Sequence, residues 1–124
     1  MGDADGAAQD SMMIIRDTLK RAELGQMAAR MFGNMVKAVV DIDRELVAVD
    51  AELHADLEAL LLEDGSVQKS LWGINLYPEL DGDDFIEFDS LINVRPSVGN
   101  RSRGVEDRAI RANIVRVVER RIAP

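Results

Sequence analysis

The sequence predicts an α+β fold: a mixed sheet of about five strands with three helices. Three stretches repeat apolar residues at the spacing of an amphipathic helix. Two pairs of stretches alternate apolar and polar residues around turn-forming residues, and one short apolar strand precedes them all. The predicted order is therefore β-α-β-β-α-β-β-α. A strand, a helix and a strand in succession predict one parallel crossover, and we expect the helices to pack mainly on one face of the sheet.

The N-terminal segment predicts a tail followed by a single domain. Residues 1–11 offer almost nothing apolar to bury, so we expect a disordered tail there. The α+β domain is predicted over residues 12–124. It opens with a short apolar strand over residues 12–15.

The first helix and the first hairpin follow. A helix is predicted from about residue 19 to residue 32, with Asp17 or Thr18 as its cap. Residues 35–49 alternate in character around Asp43-Arg44, which is typical of two strands and a bend. The helix repeats apolar residues at i, i+3, i+4 and i+7, namely Leu24, Met27, Ala28 and Met31.

The second helix is predicted over residues 51–64, capped by Asp50 and ended by Gly65. The acidic residues 63–64 lie at the negative end of its dipole, which disfavours the helix and leaves a strand within residues 57–62 as the alternative. Four leucines at helical spacing favour the helix: Leu53, Leu57, Leu60 and Leu61.

A second hairpin and a last helix complete the chain. Residues 72–78 and 86–94 alternate as two strands around an acidic turn. A loop over residues 95–105 leads into a helix that reaches about Ile122. The residues expected on buried faces are Trp72, Ile74 and Leu76 in the hairpin and Ile110, Ile114, Val117, Val118 and Ile122 in the helix.

Composition excludes several classes of protein. The 124 residues contain no cysteine, which removes disulfides, thiolate zinc sites and cysteine nucleophiles. No apolar run approaches the roughly 18 residues of a membrane span, and no secretory signal pattern is present, so we expect a cytoplasmic protein. A net charge of −8 disfavours an anionic membrane surface and reading of duplex nucleic acid. No cofactor motif is found, and the oligomeric state is left open.

Charge is divided unevenly along the chain. Residues 1–94 carry 20 acidic and 7 basic side chains, whereas residues 95–124 carry 3 acidic side chains and 8 arginines. The loop before the last helix combines Gly, Ser, Asn and Arg, which is the donor set of a phosphate or carboxylate site. Its candidate ligand-binding residues are Arg95, Ser97, Asn100, Arg101, Ser102 and Arg103. The alternative is that these arginines clamp carboxylates of the same chain, such as Glu87 or Asp89.

Three side chains are candidate catalytic bases. Glu87 and Asp89 lie on one face of a predicted strand, roughly 7 Å apart, where they could act as an acid/base pair or, with Asn93, hold a hard cation. A solvated strand face is the plainer interpretation. His54, the only histidine, lies one helical turn from a carboxylate on either side and could be a general base. An exposed helical histidine without a role is again plainer, and no metal site is predicted.

Four stretches resemble a family of small prokaryotic proteins classed only as a domain of unknown function. They are residues 52–56, 61–66, 71–78 and 86–102. The resemblance covers about residues 13–122. It implies a cytoplasmic bacterial or archaeal protein and carries no activity, cofactor or functional residue.

Three functions from different classes therefore stand at this point. The first is a binding module whose Arg95–Arg103 loop takes a phosphate-bearing or acidic ligand. The second is a small phosphoryl or ester hydrolase with His54, Glu87 or Asp89 as base and arginines stabilising the transition state. The third is an interaction protein with no small-molecule site. Catalysis requires the bases to converge with the arginines around one concave pocket, whereas binding requires only the loop.

Overall fold

The computed structural model describes residues 11–124, so all of the predicted tail except Ser11 lies outside the described residues. A five-stranded antiparallel sheet is flanked by helices on both faces, which confirms the α+β class with three helices. The strands are β1 (Met13–Ile15), β2 (Leu19–Lys20), β3 (Val36–Asp41), β4 (Leu46–Val49), β5 (Leu71–Leu76), β6 (Ile86–Glu87) and β7 (Ile122–Ala123). The helices are α1 (Arg21–Arg30), α2 (His54–Glu63) and α3 (Arg108–Arg121). Within residues 11–124, no helix combines the length and apolar character that crossing a membrane requires.

The main sheet has the strand order β1-β4-β3-β5-β6, and every pairing in it is antiparallel. The sheet is therefore antiparallel rather than mixed, and the predicted crossover from β1 through α1 to β3 joins strands that do not pair. β1 and β3 do run in the same direction, but β4 lies between them and is antiparallel to both. The tight turn after β3 explains this, because it returns β4 to the edge that β1 would otherwise have occupied. Asp41 Oδ1 holds that turn by accepting from the backbone N–H groups of Asp43 and Arg44 at 2.9 Å each.

The first helix starts later than predicted because its first residues belong to another sheet. Leu19 and Lys20 pair in parallel with Ile122 and Ala123 as the small sheet β2-β7. The helix α1 then begins at Arg21, so neither Asp17 nor Thr18 caps it.

Helices cover both faces of the sheet, which corrects the expectation that they lie mainly on one. Helices α1 and α3 bury residues such as Leu24 and Val117 against one face, together with alternate residues of β3 and β5. Helix α2 buries Leu57 and Leu61 on the opposite face, against Val39 and neighbours. The central strand β3 is largely buried on both faces, so each face needs a helical cover.

Helix α2 begins at His54 rather than at residue 51, and Asp50 is not its cap. Asp50 instead has a positive φ of 77° and lies buried in the connection from β4. Leu53 stands at the N-cap position, where a leucine has no oxygen to accept a hydrogen bond. Its side chain is 57% exposed, so its predicted place on the buried face is wrong.

The last predicted strand, residues 86–94, is paired only at Ile86 and Glu87. Ser90 ends it by accepting from the Ile92 N–H and opening a short 3-10 turn. Asn93 then replaces the strand, because its side-chain amide exchanges two hydrogen bonds of 2.8 and 2.9 Å with the backbone of Gly73. A side chain at Gly73 would place its Cβ 2.5 Å from Ser90 Cβ, so this close approach needs glycine.

Candidate functional site

A cleft of about 170 Å³ opens where the N-terminus of α2 meets the turn that follows β6. It lies on the α2 side of the sheet, since Lys37 alternates along β3 with residues of the opposite core. Four of the lining residues are polar or charged and four are apolar. They are Lys37, His54, Ser90 and Arg103, and Leu53, Ala55, Leu91 and Ile92.

His54 is the most enclosed titratable group of this cleft, with 8% of its surface exposed. The expectation that this histidine is exposed is therefore wrong. Its Nε2 lies 2.8 Å from the carbonyl oxygen of Ile74, which can only accept, so Nε2 carries the proton. Nδ1 has no hydrogen-bond partner among residues 11–124 and is not among their fully buried polar atoms. Nδ1 is therefore the acceptor that the ring offers to the cleft.

The charge state of His54 is set mainly by burial. Desolvation lowers the pKa of His54 below its ordinary value of 6.5. The charges of Lys37 and Arg103 lower it further, while the hydrogen bond to Ile74 and the charge of Asp89 raise it. The ring is neutral at pH 7, so Nδ1 has a free lone pair.

Two cations line the cleft beside this ring. The Nζ of Lys37 lies 5.3 Å from the ring centroid of Phe32, and no carboxylate of the described residues lies within ion-pair distance of it. Arg103 donates from Nε to Asp89 Oδ1 at 2.6 Å. Both members of that pair are about half exposed. Lys37 therefore has no carboxylate partner among the described residues, whereas Arg103 forms an ion pair with Asp89.

The N-terminus of α2 adds a third source of positive potential. Leu53 does not cap the helix, and the first turn pairs only the Asp56 N–H, which donates to the Leu53 carbonyl at 3.2 Å. The backbone N–H groups of His54 and Ala55 have no acceptor among the described residues. Unsatisfied N–H groups at a helix start carry about half an elementary positive charge. Leu53, His54 and Ala55 all line the cleft, so this charge lies at its wall.

The carboxylates Glu87 and Asp89 do not line the cleft and are engaged in hydrogen bonds. Glu87 Oε1 accepts from Asn75 Nδ2 at 2.9 Å and from the Tyr77 hydroxyl at 3.0 Å. Burial, followed by the hydrogen bond to Glu87, raises the pKa of Tyr77. The charge of Asp89 is shared with Arg103. Within residues 11–124, no group of three or more metal-ligating side chains is suitably placed to hold an ion.

Two of the predicted loop ligands, Arg95 and Asn100, are internal structural residues. The guanidinium of Arg95 donates to the backbone carbonyls of Ile92, Gln68 and Leu71 and lies 4.8 Å from the Trp72 ring centroid. Asn100 is buried. Its Nδ2 donates to backbone carbonyls of the loop, and its Oδ1 accepts from the Glu106 N–H at 2.9 Å.

The backbone of the loop does form an anion-binding turn, but the chain itself fills it. The N–H groups of Arg101 and Ser102 donate to Glu106 Oε2 at 3.0 and 2.9 Å. The Ser102 side chain and these two amides lower the pKa of Glu106. The side chains of Ser97 and Arg101 are exposed and make no hydrogen bond within the described residues. The structure therefore separates the predicted set, with only Arg103 reaching the cleft.

A profile of the family described as "Protein of unknown function (DUF5674)" matches residues 13–121. The chain belongs to this family. The resemblance noted in the sequence is thereby confirmed. Comparison with curated proteins found no match, and comparison with solved structures found none either.

Sequence reasoning missed Lys37, Ser90 and the N-terminus of α2. Lys37 had one visible signal, because it is the only charged residue within the apolar stretch from Val36 to Val40. Only the tertiary structure brings the residues of the cleft together. His54 and Arg103 are 49 positions apart in the sequence, and only the packing of α2 against the turn after β6 brings them to one cleft.

Proposed function

We propose that this DUF5674 protein binds a small anion of the phosphate or carboxylate class in the cleft at the start of α2. The supporting observation is that Lys37, Arg103, the Nδ1 of His54 and the uncapped N-terminus of α2 surround one cavity. Each of these groups favours negative charge or accepts a proton from a protonated anion. The proposal moves the anion site from the Arg95–Arg103 loop to the cleft.

The size and occupancy of the two sites favour the cleft over the loop. The loop amides already hold the carboxylate of Glu106. The cleft has a volume of about 170 Å³ and an open mouth, so it admits a phosphate or a small carboxylate. We place this function in the cytoplasm, because the chain lacks the cysteines on which small secreted domains commonly depend.

The test measures stabilisation by inorganic phosphate in thermal unfolding, with ionic strength held constant by chloride. A ligand that binds only the native state raises the midpoint by mass action. We expect a rise for the wild type, its loss in Arg103→Gln and Lys37→Met, and its retention in the matched controls Arg101→Gln and Lys69→Met. Asp89→Asn should enlarge the rise, because it frees Arg103 from a competing carboxylate.

The same experiment discriminates among the alternatives. Loss of the phosphate effect in Arg101→Gln but not in Arg103→Gln would return the site to the loop. A wild type indifferent to phosphate, sulfate and acetate would contradict the proposal and favour an interaction protein without a small-molecule site.

The geometry also favours a second candidate, hydrolysis of a phosphate or carboxylate ester. His54 Nδ1 is neutral at pH 7 and shares the cleft with two cations. It could take a proton from water as the water oxygen attacks the phosphorus or carbonyl carbon, and return that proton to the departing alcohol oxygen. Arg103 and Lys37 would stabilise the charge that develops on the attacked group.

The variant His54→Gln tests this step separately from binding. Glutamine can keep an N–H donor to the Ile74 carbonyl while offering no base. If the protein is a hydrolase, His54→Gln should lose turnover of an aryl ester panel by about two to four orders of magnitude. It should keep most of the phosphate stabilisation, because Lys37 and Arg103 remain and the amide oxygen can accept the hydrogen bond that Nδ1 accepts. A wild type without turnover on the panel would remove the hydrolase candidate and leave the binding function.

A further inference from the structure

The rim of the cleft carries two exposed leucines in addition to its cations. Leu53 and Leu91 are 57% and 69% exposed, and Leu91 is the most exposed large hydrophobic residue among residues 11–124. The first belongs to the start of α2 and the second to the turn after β6, yet both line the same cleft with Ala55 and Ile92. A single exposed leucine is ordinary, whereas two on different elements at one charged cavity form an apolar rim.

We infer, resting on the anion site proposed above, that the ligand is an amphiphilic anion. Its phosphate or carboxylate group lies against Lys37 and Arg103, and a short alkyl or aryl group packs across Leu53 and Leu91. The cleft is open to solvent on one side. A carbon portion attached to the bound anion would therefore extend across the two leucines of the rim.

A free small molecule fits this site better than a lipid in a bilayer. The chain carries a net charge of −8, which repels an anionic membrane surface. The two leucines also flank a cavity and do not form a continuous apolar face of the size that membrane docking needs. The ligand class is accordingly a small alkyl or aryl phosphate or carboxylate.

The experiment compares dissociation constants of the full chain for inorganic phosphate, methyl phosphate and butyl phosphate by calorimetry. Each buried methylene strengthens binding roughly fourfold. Because the rim is partly open, we expect about a tenfold gain from phosphate to butyl phosphate. Leu53→Ala and Leu91→Ala should reduce that gain and leave inorganic phosphate unchanged. The matched control is Leu80→Ala, which removes a 46% exposed leucine outside the cleft and should change neither constant.

The outcomes separate this inference from the function on which it rests. Equal binding of phosphate and butyl phosphate, with no effect of Leu91→Ala, would overturn the amphiphilic ligand and leave the anion site intact. Absence of binding by every phosphate would overturn both. A gain for butyl phosphate that survives in both leucine variants would also overturn the inference, because the apolar group would then pack elsewhere.

Discussion

The environment of His54 links the fold to the chemistry of the cleft at the scale of a single residue. The ring is buried, its Nε2 is held by a backbone carbonyl, and the neighbouring charges are Lys37, Asp89 and Arg103. Protonating a buried neutral histidine costs free energy in the folded state. The same residue in the unfolded chain is protonated at its ordinary pKa without that cost.

The lowered pKa of His54 predicts how the free energy of unfolding depends on pH near neutrality. The folded pKa of His54 is depressed below 6.5, so the unfolded state binds more protons and stability rises with pH. The contribution is fully present well above pH 6.5 and is lost as the pH falls from there through the folded pKa. Urea unfolding between pH 8 and pH 5.5 should show this decline in the wild type and a flatter profile in His54→Gln. A wild type that is flat over this range would contradict the assignment.

The burial of Trp72 predicts a large loss of stability when its side chain is removed. Its ring is 3% exposed, packs with Ile74 and Leu76 in the core under α1 and α3, and supports the Arg95 guanidinium. Trp72→Ala should lower the free energy of unfolding by about 3–5 kcal/mol, as for other buried aromatic truncations. Denaturant titration measures it. A loss below about 1 kcal/mol would mean that the ring lies at the surface and serves recognition.

The uncapped start of α2 predicts that a substitution which stabilises the helix also weakens anion binding. Leu53 has extended backbone angles, φ −127° and ψ 136°, that suit an N-cap, but it offers no acceptor. Leu53→Ser should therefore stabilise the protein by about 1 kcal/mol. The new hydroxyl would occupy an N–H group at the cleft, so stabilisation by phosphate should decrease. Leu53→Ala is the matched control, since it removes the same side chain without adding an acceptor. Undiminished phosphate stabilisation in Leu53→Ser would show that the N-terminus of α2 does not contact the anion.

Local sequence patterns predicted the positions of the helices and strands better than they predicted which strands pair. Helical periodicity placed all three helices, and alternation placed β3, β4 and β5, because those patterns follow directly from which face is buried. The end of the second hairpin was mispredicted since Asn93 substitutes its side-chain amide for a strand backbone, and alternation cannot reveal such a replacement. The sequence could not reveal that β4 lies between β1 and β3, because strand order depends on where the β3-β4 turn returns the chain.

In the whole molecule, three arginines of the last helix attach the C-terminal segment to the acidic body. Arg116 and Arg120 pair with Glu45 at 3.4 and 2.9 Å, and Arg121 donates to the Glu45 carbonyl. Each exposed ion pair of this kind contributes about 0–1 kcal/mol to the free energy of unfolding. These pairs therefore orient the C-terminal segment more than they stabilise the fold. Three of the eight arginines, Arg103, Arg116 and Arg120, pair with carboxylates of the described residues, so part of the uneven charge reports intramolecular pairing. Arg103 also lines the proposed anion cleft, and Arg111 lines a separate cavity beside Phe88.

Amide chemical shifts during a phosphate titration report directly whether an anion binds at the start of α2. The backbone N–H groups of His54 and Ala55 have no acceptor among the described residues, whereas those of Arg101 and Ser102 already donate to Glu106. We predict saturable shifts of the His54 and Ala55 amides, with those of Arg101 and Ser102 unchanged. Shifts confined to Arg101 and Ser102, or no saturable shift at any amide, would contradict the claim.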